Sequence, residues 1–296
     1  MKDRLFAFFT FSFISIFFIL CKSNEDQYSS KILIPDKNFE ERLIYLGIDK
    51  DGKINGEMDS DDAKDVKELS ISHREITDLK GIEAFTNLEV LFCERNKLSY
   101  LSLNANTKLK QLDCAYNTLT TLDISKNSHL TRLACFSNQL SVLDISNNTK
   151  LEDLICSNNF LQMLEVSQNS ELVSLDCSNN DLHSLDLNNN LFLNYLNFSS
   201  NHLTSINLHN NLVIKRIECN GNNLSTIDIS KNTQLEDLDC RSNQLYKLDI
   251  SQNSVLSQLD CSLNPKLTSI CVRDVKKSVA SIRWTKDPSA SYKICR

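Results

Sequence analysis

Glycine and proline are scarce in this chain, at 5 and 3 of 296 residues, and tryptophan occurs once. A shortage of that kind excludes a low-complexity or disordered chain. Leucine and asparagine stand in their place, as expected when one coil geometry is reused. Cationic runs are also missing: the formal charge is −6, and without a basic stripe there is no electrostatic footprint for nucleic acid. No glycine-rich phosphate loop, nucleophile elbow or zinc motif occurs, so no catalytic centre, metal or cofactor is expected. The longest apolar run, Leu5 to Leu20, spans only about 24 Å as a helix against a hydrocarbon core of ~30 Å. A cleaved leader is therefore favoured over a permanent span.

What is present is one frame, L-x-x-L-x-C-x-x-N-x-L-x-x-L-x-I-x-x-N-x-x, returning every 21 residues from Leu88 to Asn264. Its small-residue position is filled by Cys93, Cys114, Cys135, Cys156, Cys177, Phe198, Cys219, Cys240 and Cys261. A fixed period of this length means a solenoid, whose size is set by stacking rather than by a globular domain limit. Each period holds two apolar triplets, for example Leu112-Asp113-Cys114 and Leu122-Asp123-Ile124, in which alternate residues point inward. Coils stacked in parallel at roughly 4.8 Å make a rod about 45 Å long. Two asparagine ladders punctuate the frame. One runs through Asn96, Asn117, Asn138, Asn159, Asn180, Asn201, Asn222, Asn243 and Asn264, and the other from Asn106 through Asn127 and Asn148 to Asn253. At each bend the backbone amides turn inward without a strand partner, and an amide side chain can both donate and accept there. Losing one strands buried groups at ~1–3 kcal/mol. The asparagines are read as structural.

The ends depart from the frame. Residues 1–20 form the expected signal peptide, with Lys2 and Arg4 before the apolar run, and residues 21–31 an acidic linker after Cys21. Residues 32–65 are expected to be a helical N-terminal cap: Pro35-Asp36 supply a start, Phe39, Leu43, Ile44 and Leu46 recur at helical spacing, and Gly47 stops the helix. The stretch Asp49 to Glu57 superficially resembles a calcium loop, but aligning its acidic-glycine pair leaves Gly47 and Met58 where carboxylates are needed, so a plain turn is expected. Residues 66–270 form the solenoid, opening with an atypical coil of 22 residues, and residues 271–296 a C-terminal cap. The ladder cysteines are read as small hydrophobes whose parallel side-chain vectors do not suit bridging. Cys271 and Cys295 lie outside the ladder and flank the cap, which is expected to be closed by a disulfide between them.

This frame resembles the leucine-rich repeat family, and the helix-plus-first-coil opening is similar to bacterial cell-surface members, internalins and their flavobacterial relatives. The resemblance covers Ile32 to the C-terminus and implies an α/β-type solenoid, mostly parallel β coils, capped at both ends. It also implies a binding module for proteins or glycans, since that is what the family mostly does. The segment from Cys21 to Asp26 resembles the start of a bacterial lipoprotein, with the short acidic stretch associated with surface display in Bacteroidetes-type bacteria. It departs from that pattern in having Leu20, not a small residue, before the cysteine. Display on the cell surface or outer membrane through a lipid on Cys21 is expected; ordinary secretion or an uncleaved anchor is the alternative.

Histidines 73, 129, 183, 202 and 209 fall at different frame positions and show no ligand logic. Asp123, Asp144, Glu165, Asp186, Asp228 and Asp249 share one position, interrupted by Asn207, and make an acidic stripe read as solvated and helped by adjoining serines. Calcium or a basic partner is the other reading of it. The outward positions of the other strand row vary instead. Phe92, Phe136 and Ile155, with Val90 and Ala134 beside them, lend the first half an apolar tone, and irregular outward positions are where specificity can be written. A monomer that binds a protein or glycan on another surface, without enzymatic activity, is the expectation. The rival is a structural or calcium-stabilised envelope spacer. The lipid expectation is testable directly: labelling with a fatty-acid analogue should mark the wild type and not Cys21→Ala, and equal labelling of both would overturn it.

Overall fold

The computed structural model describes residues 30–295, so the leader and Cys21 lie outside the described residues. The coil opened by Leu109 shows how the frame folds. Leu109, Leu112, Cys114, Leu119, Leu122 and Ile124 are all 7% exposed or less, and every buried leucine or isoleucine contributes roughly 1.5–3 kcal/mol by leaving water. A single coil cannot bury these side chains alone, which is why the coils stack.

Chain order begins with β1 (Lys31–Leu33), α1 (Lys37–Tyr45), β2 (Glu57–Asp59) and α2 (Ser60–Ala63). The repeat strands follow: β3 (Glu68–Ser70), β4 (Val90–Phe92), β5 (Gln111–Asp113), β6 (Arg132–Ala134), β7 (Asp153–Ile155), β8 (Ser174–Asp176), β9 (Tyr195–Asn197), β10 (Arg216–Glu218) and β11 (Asp237–Asp239). After them come β12 (Leu248–Asp249), β13 (Gln258–Asp260), β14 (Ser269–Cys271), α3 (Val275–Val279), β15 (Trp284–Thr285) and β16 (Ser291–Lys293). Strands β3 to β11, with β13 and β15, form one eleven-stranded sheet, and β12, β14 and β16 a second, smaller one. The ladder is parallel and in strict register, Leu91 beside Leu112 beside Leu133. The α-helices among the described residues are confined to the two caps.

The two asparagine ladders do different work. Asn159 donates through Nδ2 to the carbonyls of Cys135 and Cys156, both at 3.1 Å, and accepts the Leu140 N–H at 3.0 Å on Oδ1. The pattern repeats at Asn117, Asn138, Asn180, Asn201, Asn222, Asn243 and Asn264. Asn148 of the second ladder donates to Ile124 O and Asn127 O, but its Oδ1 is buried without a donor, as in the other seven members from Asn106 to Asn253. Donation and acceptance together therefore hold only in the first ladder. In the second bend two backbone amides are used by the turn itself, Asn148 N–H to Ile145 O and Leu151 N–H to Asn148 O, and neither donates to the side chain.

The scarcity of glycine shows at the end of each repeat strand, where the backbone turns through the left-handed region. Arg95, Tyr116, Ser137, Asn158, Asn179, Ser200, Ser242 and Leu263 hold φ of 50–56° there, and only Gly221 is free of a Cβ. Every residue but glycine is disfavoured in that region, by about 1 kcal/mol or more. The N–H of each donates to a carbonyl of the next coil, for example Tyr116 to Phe136 O at 3.0 Å, except that of Leu263, which donates to Asp287 Oδ1 in the cap at 2.9 Å.

At the N-terminus the helix starts at the Asp36 cap and ends just before Gly47, where the sequence places its start and stop. Pro35 disfavours helix before it, and Ile32 instead pairs with Met58 in a small antiparallel sheet whose first residue, Lys31, falls inside the expected linker. Asp36 caps α1 through Phe39 N–H at 3.0 Å and reaches across to the first coil, accepting Thr77 N–H at 2.7 Å and Asp78 N–H at 3.1 Å. Burial alone would raise its pKa, but these bonds hold it below the ordinary carboxylate value. Phe39 and Leu43 are fully buried against the array. At the other end a disulfide joins Cys271 to Cys295, with Cα atoms 5.4 Å apart, and Trp284 packs near Tyr292. The eight ladder thiols are free and buried. Burial pushes each up, Cys135 to about 12, so none is a nucleophile at neutral pH, and Phe198 fills the same column at 0% exposure.

The unequal ladders yield an unequal expectation. Asn159→Ala should cost about 3 kcal/mol, because it orphans the Leu140 N–H along with two carbonyls, and Asn148→Ala roughly half of that. Urea midpoints at unchanged slope measure both, and equal losses would contradict the assignment.

Candidate recognition surface

In every repeat triplet the central leucine or isoleucine points into the core, so its neighbours face outward. Register places Phe92, Asp113, Ala134 and Ile155 in one column, continued by Asp176, Asn197 and Glu218. Two residues further along each coil, Ala115, Phe136 and Ser157 make a second column. Phe92, Phe136 and Ile155 are half-buried, not fully exposed. Ala134, expected outward beside them, is 1% exposed, and Ala115 is 0% exposed; a methyl group set among larger neighbours is covered by them.

The structure adds two residues to this patch that the repeat pattern does not single out. Tyr116 and Phe136 meet edge to face with ring centroids 4.9 Å apart, and the Arg95 guanidinium lies over the Tyr116 ring at 4.1 Å. Both Arg95 and Tyr116 occupy the left-handed position, which projects them onto the rim of the strand face. A stacked guanidinium keeps its donors available while its plane is spent on the ring.

The second half of the same face is occupied with itself. Asp176, Asn197, Asp239 and Asp260 each accept the N–H two residues on, and so does Asp113, so the position forms a turn. Arg216 pairs with Glu218 at 2.8 Å and Arg241 with Asp239 at 3.2 Å. Tyr195 donates to Glu218 at 3.3 Å; burial first, then the nearby carboxylates, push its phenol up to about 12. Charges neutralised within the chain leave little for a partner.

The acidic stripe has the same local cause. Asp123, Asp144, Asp186, Asp228 and Asp249 each accept the N–H two residues on at 2.9–3.0 Å. These bonds and those from Ser125, Ser146 and Ser230 hydroxyls hold Asp123, Asp144 and Asp228 below the ordinary pKa. Asn207 does the same for the His209 N–H, so the position calls for an acceptor and not for a charge. In the Asp49–Glu57 stretch the carboxylates likewise serve turns: Asp49 accepts from Asp51 N–H, and Asp51 from Lys53 N–H. Burial, then the facing Asp51 carboxylate, push Asp49 up to about 6. Among the described residues no group of three or more His, Cys, Asp or Glu side chains could hold a metal ion. His183 and His202, 19 residues apart in sequence, do come together at 5.3 Å between ring centroids.

No family model matches the sequence, and no curated protein matches it. Solved structures do. The functional domain of InlJ from Listeria monocytogenes, which includes a cysteine ladder, is 26% identical with a TM-score of 0.50, over 90% of this chain and 71% of that one. The internalin inlF of the same organism is 18% identical with a TM-score of 0.57, over 89% and 96%. A plant peptide hormone receptor, RGFR1 in complex with RGF2, is 20% identical with a TM-score of 0.54, over 64% and 40%. Parallel coils of 21 residues with a leucine core and two asparagine ladders define a solenoid of the leucine-rich repeat fold. Its structural neighbours include internalins of a bacterium, and what this chain shares with them is the fold. No helix among the described residues is long and apolar enough to cross a membrane.

Proposed function

We propose that the chain is a surface-displayed recognition rod without enzymatic activity. It is held to the outer membrane by lipid on Cys21 and contacts a protein or glycan on another surface, in adhesion. The observation that carries this reading is the aromatic cluster on one strand face: Phe92, Phe136, Ile155, Tyr116 and Arg95 gather in the first four coils beside the Arg132–Asp153 pair, whereas the later coils carry charged residues paired with one another and no such cluster. Aromatic and arginine side chains dominate binding energy in typical interfaces, and a handful suffices. The acidic stripe, screened within about 8 Å at physiological salt, contributes rate and salt dependence instead.

Capture of purified rod on candidate host or neighbour-cell surfaces tests the proposal. Once a partner is retained, Phe92→Ser with Phe136→Ser should weaken it at least ~30-fold, the equivalent of about 2 kcal/mol. Because both rings are half-buried, the melting temperature should fall by a few degrees without loss of folding, on the order of 1–2 kcal/mol. Lysine at Asp123 and Asp144 should change affinity much less. Normal binding by the aromatic variant and loss in the acidic one would mean that another face is used.

A further inference from the structure

A groove lies away from the strand face, between the last full coil and α3. It encloses about 680 Å³, within the roughly 300–1,000 Å³ typical of small-ligand sites. Trp284, Val255 and Leu256 supply its apolar surface, and five serines line it, of which Ser257 and Ser278 already donate their hydroxyls to Glu236 O and Asp274 O and keep only acceptor capacity. Arg273 and Lys277 face it, both exposed. Neither forms an ion pair with any described residue. The one carboxylate there, Asp274, is committed to capping α3, accepting the Lys277 N–H at 3.1 Å.

Two further facts set this end apart. The cap sequence carries Arg273, Lys276, Lys277, Arg283, Lys286, Lys293 and Arg296 against Asp274 and Asp287 alone, in a chain whose formal charge is −6. The Trp284 indole N–H is buried with no acceptor, whereas a buried indole N–H usually finds one. An apolar ring face suits the C–H face of a pyranose, hydroxyls that donate and accept suit its ring hydroxyls, and two free cations suit a carboxylate. From the juxtaposition of Trp284, the serine wall and the unpaired Arg273 and Lys277, we infer that this groove is a binding site for an anionic saccharide of the uronate class. The inference is independent of the strand-face reading and stands or falls by itself.

Trp284 is the sole tryptophan, so emission excited selectively at the indole reports the surroundings of this one ring, and the Arg273 and Lys277 variants assign any change to the groove rather than to the neighbouring cleft beside Lys286 and Tyr292. Titration with digalacturonate should change the emission saturably, with a matching heat in calorimetry, while the neutral galactose disaccharide and inorganic phosphate should do neither at the same concentrations. Arg273→Gln with Lys277→Gln should raise the Kd for digalacturonate at least tenfold while leaving the melting temperature unchanged, since both side chains are exposed. Absence of both signal and heat with digalacturonate overturns the inference. So does equal binding of the neutral disaccharide or of phosphate, or an unchanged affinity in the folded double variant.

Discussion

The first-ladder asparagine is the interaction on which the other features depend. A coil of 21 residues must turn its backbone sharply inward, and each turn leaves an N–H and carbonyls facing the core, where an unpaired polar group costs ~1–3 kcal/mol. Asn159 and its equivalents answer both needs at once, accepting from Leu140 N–H and donating to Cys135 O and Cys156 O. Because the donor and the acceptors lie on successive coils, each side chain also holds the stacking register. The strand ladder, the cysteine column and the left-handed strand ends all follow from that register.

Once the register is set, the columns divide into those the fold needs and those it does not. Leucine, cysteine and asparagine columns are committed to the core. The aspartate columns are committed to turns, as Asn207 shows by replacing an aspartate without loss of the bond to His209. Variation survives on the strand face and its rim, and there the rod changes character along its length. Aromatic and apolar groups stand among ion pairs near the N-terminal cap, ion pairs without that cluster mark the later coils, and unpaired cations the C-terminal cap. Display of different chemistry at different heights is what a rigid rod can offer to partners.

Periodicity made the core legible before any coordinates: the inward leucines, the cysteine column and the first asparagine ladder recur without a slip, and the structure places them as the spacing requires. Outside the periodic frame less is legible. Helix α1 begins at the Asp36 cap and ends before Gly47 as its residues indicate, but nothing local marks Ile32 and Leu33 as a strand, because their partners Met58 and Glu57 are distant in the chain. The second asparagine ladder recurs as strictly as the first, yet its Oδ1 atoms find no donor, a difference that depends on which backbone amides the turn consumes. Of the recognition patch, Phe92, Phe136 and Ile155 stand out as irregular outward residues. Arg95 and Tyr116 do not, since their prominence comes from a left-handed backbone and from adjacency between coils.

Native-state hydrogen exchange on the intact protein tests the central role of the first ladder most directly. The amides of Leu98, Leu119, Leu140, Leu161, Leu182, Leu203 and Leu224, each donating to a ladder Oδ1, should exchange only through opening as costly as that of the central strands. Exchange of these seven amides at the rate of exposed turn amides would show that the ladder does not hold the coils, and would contradict the account.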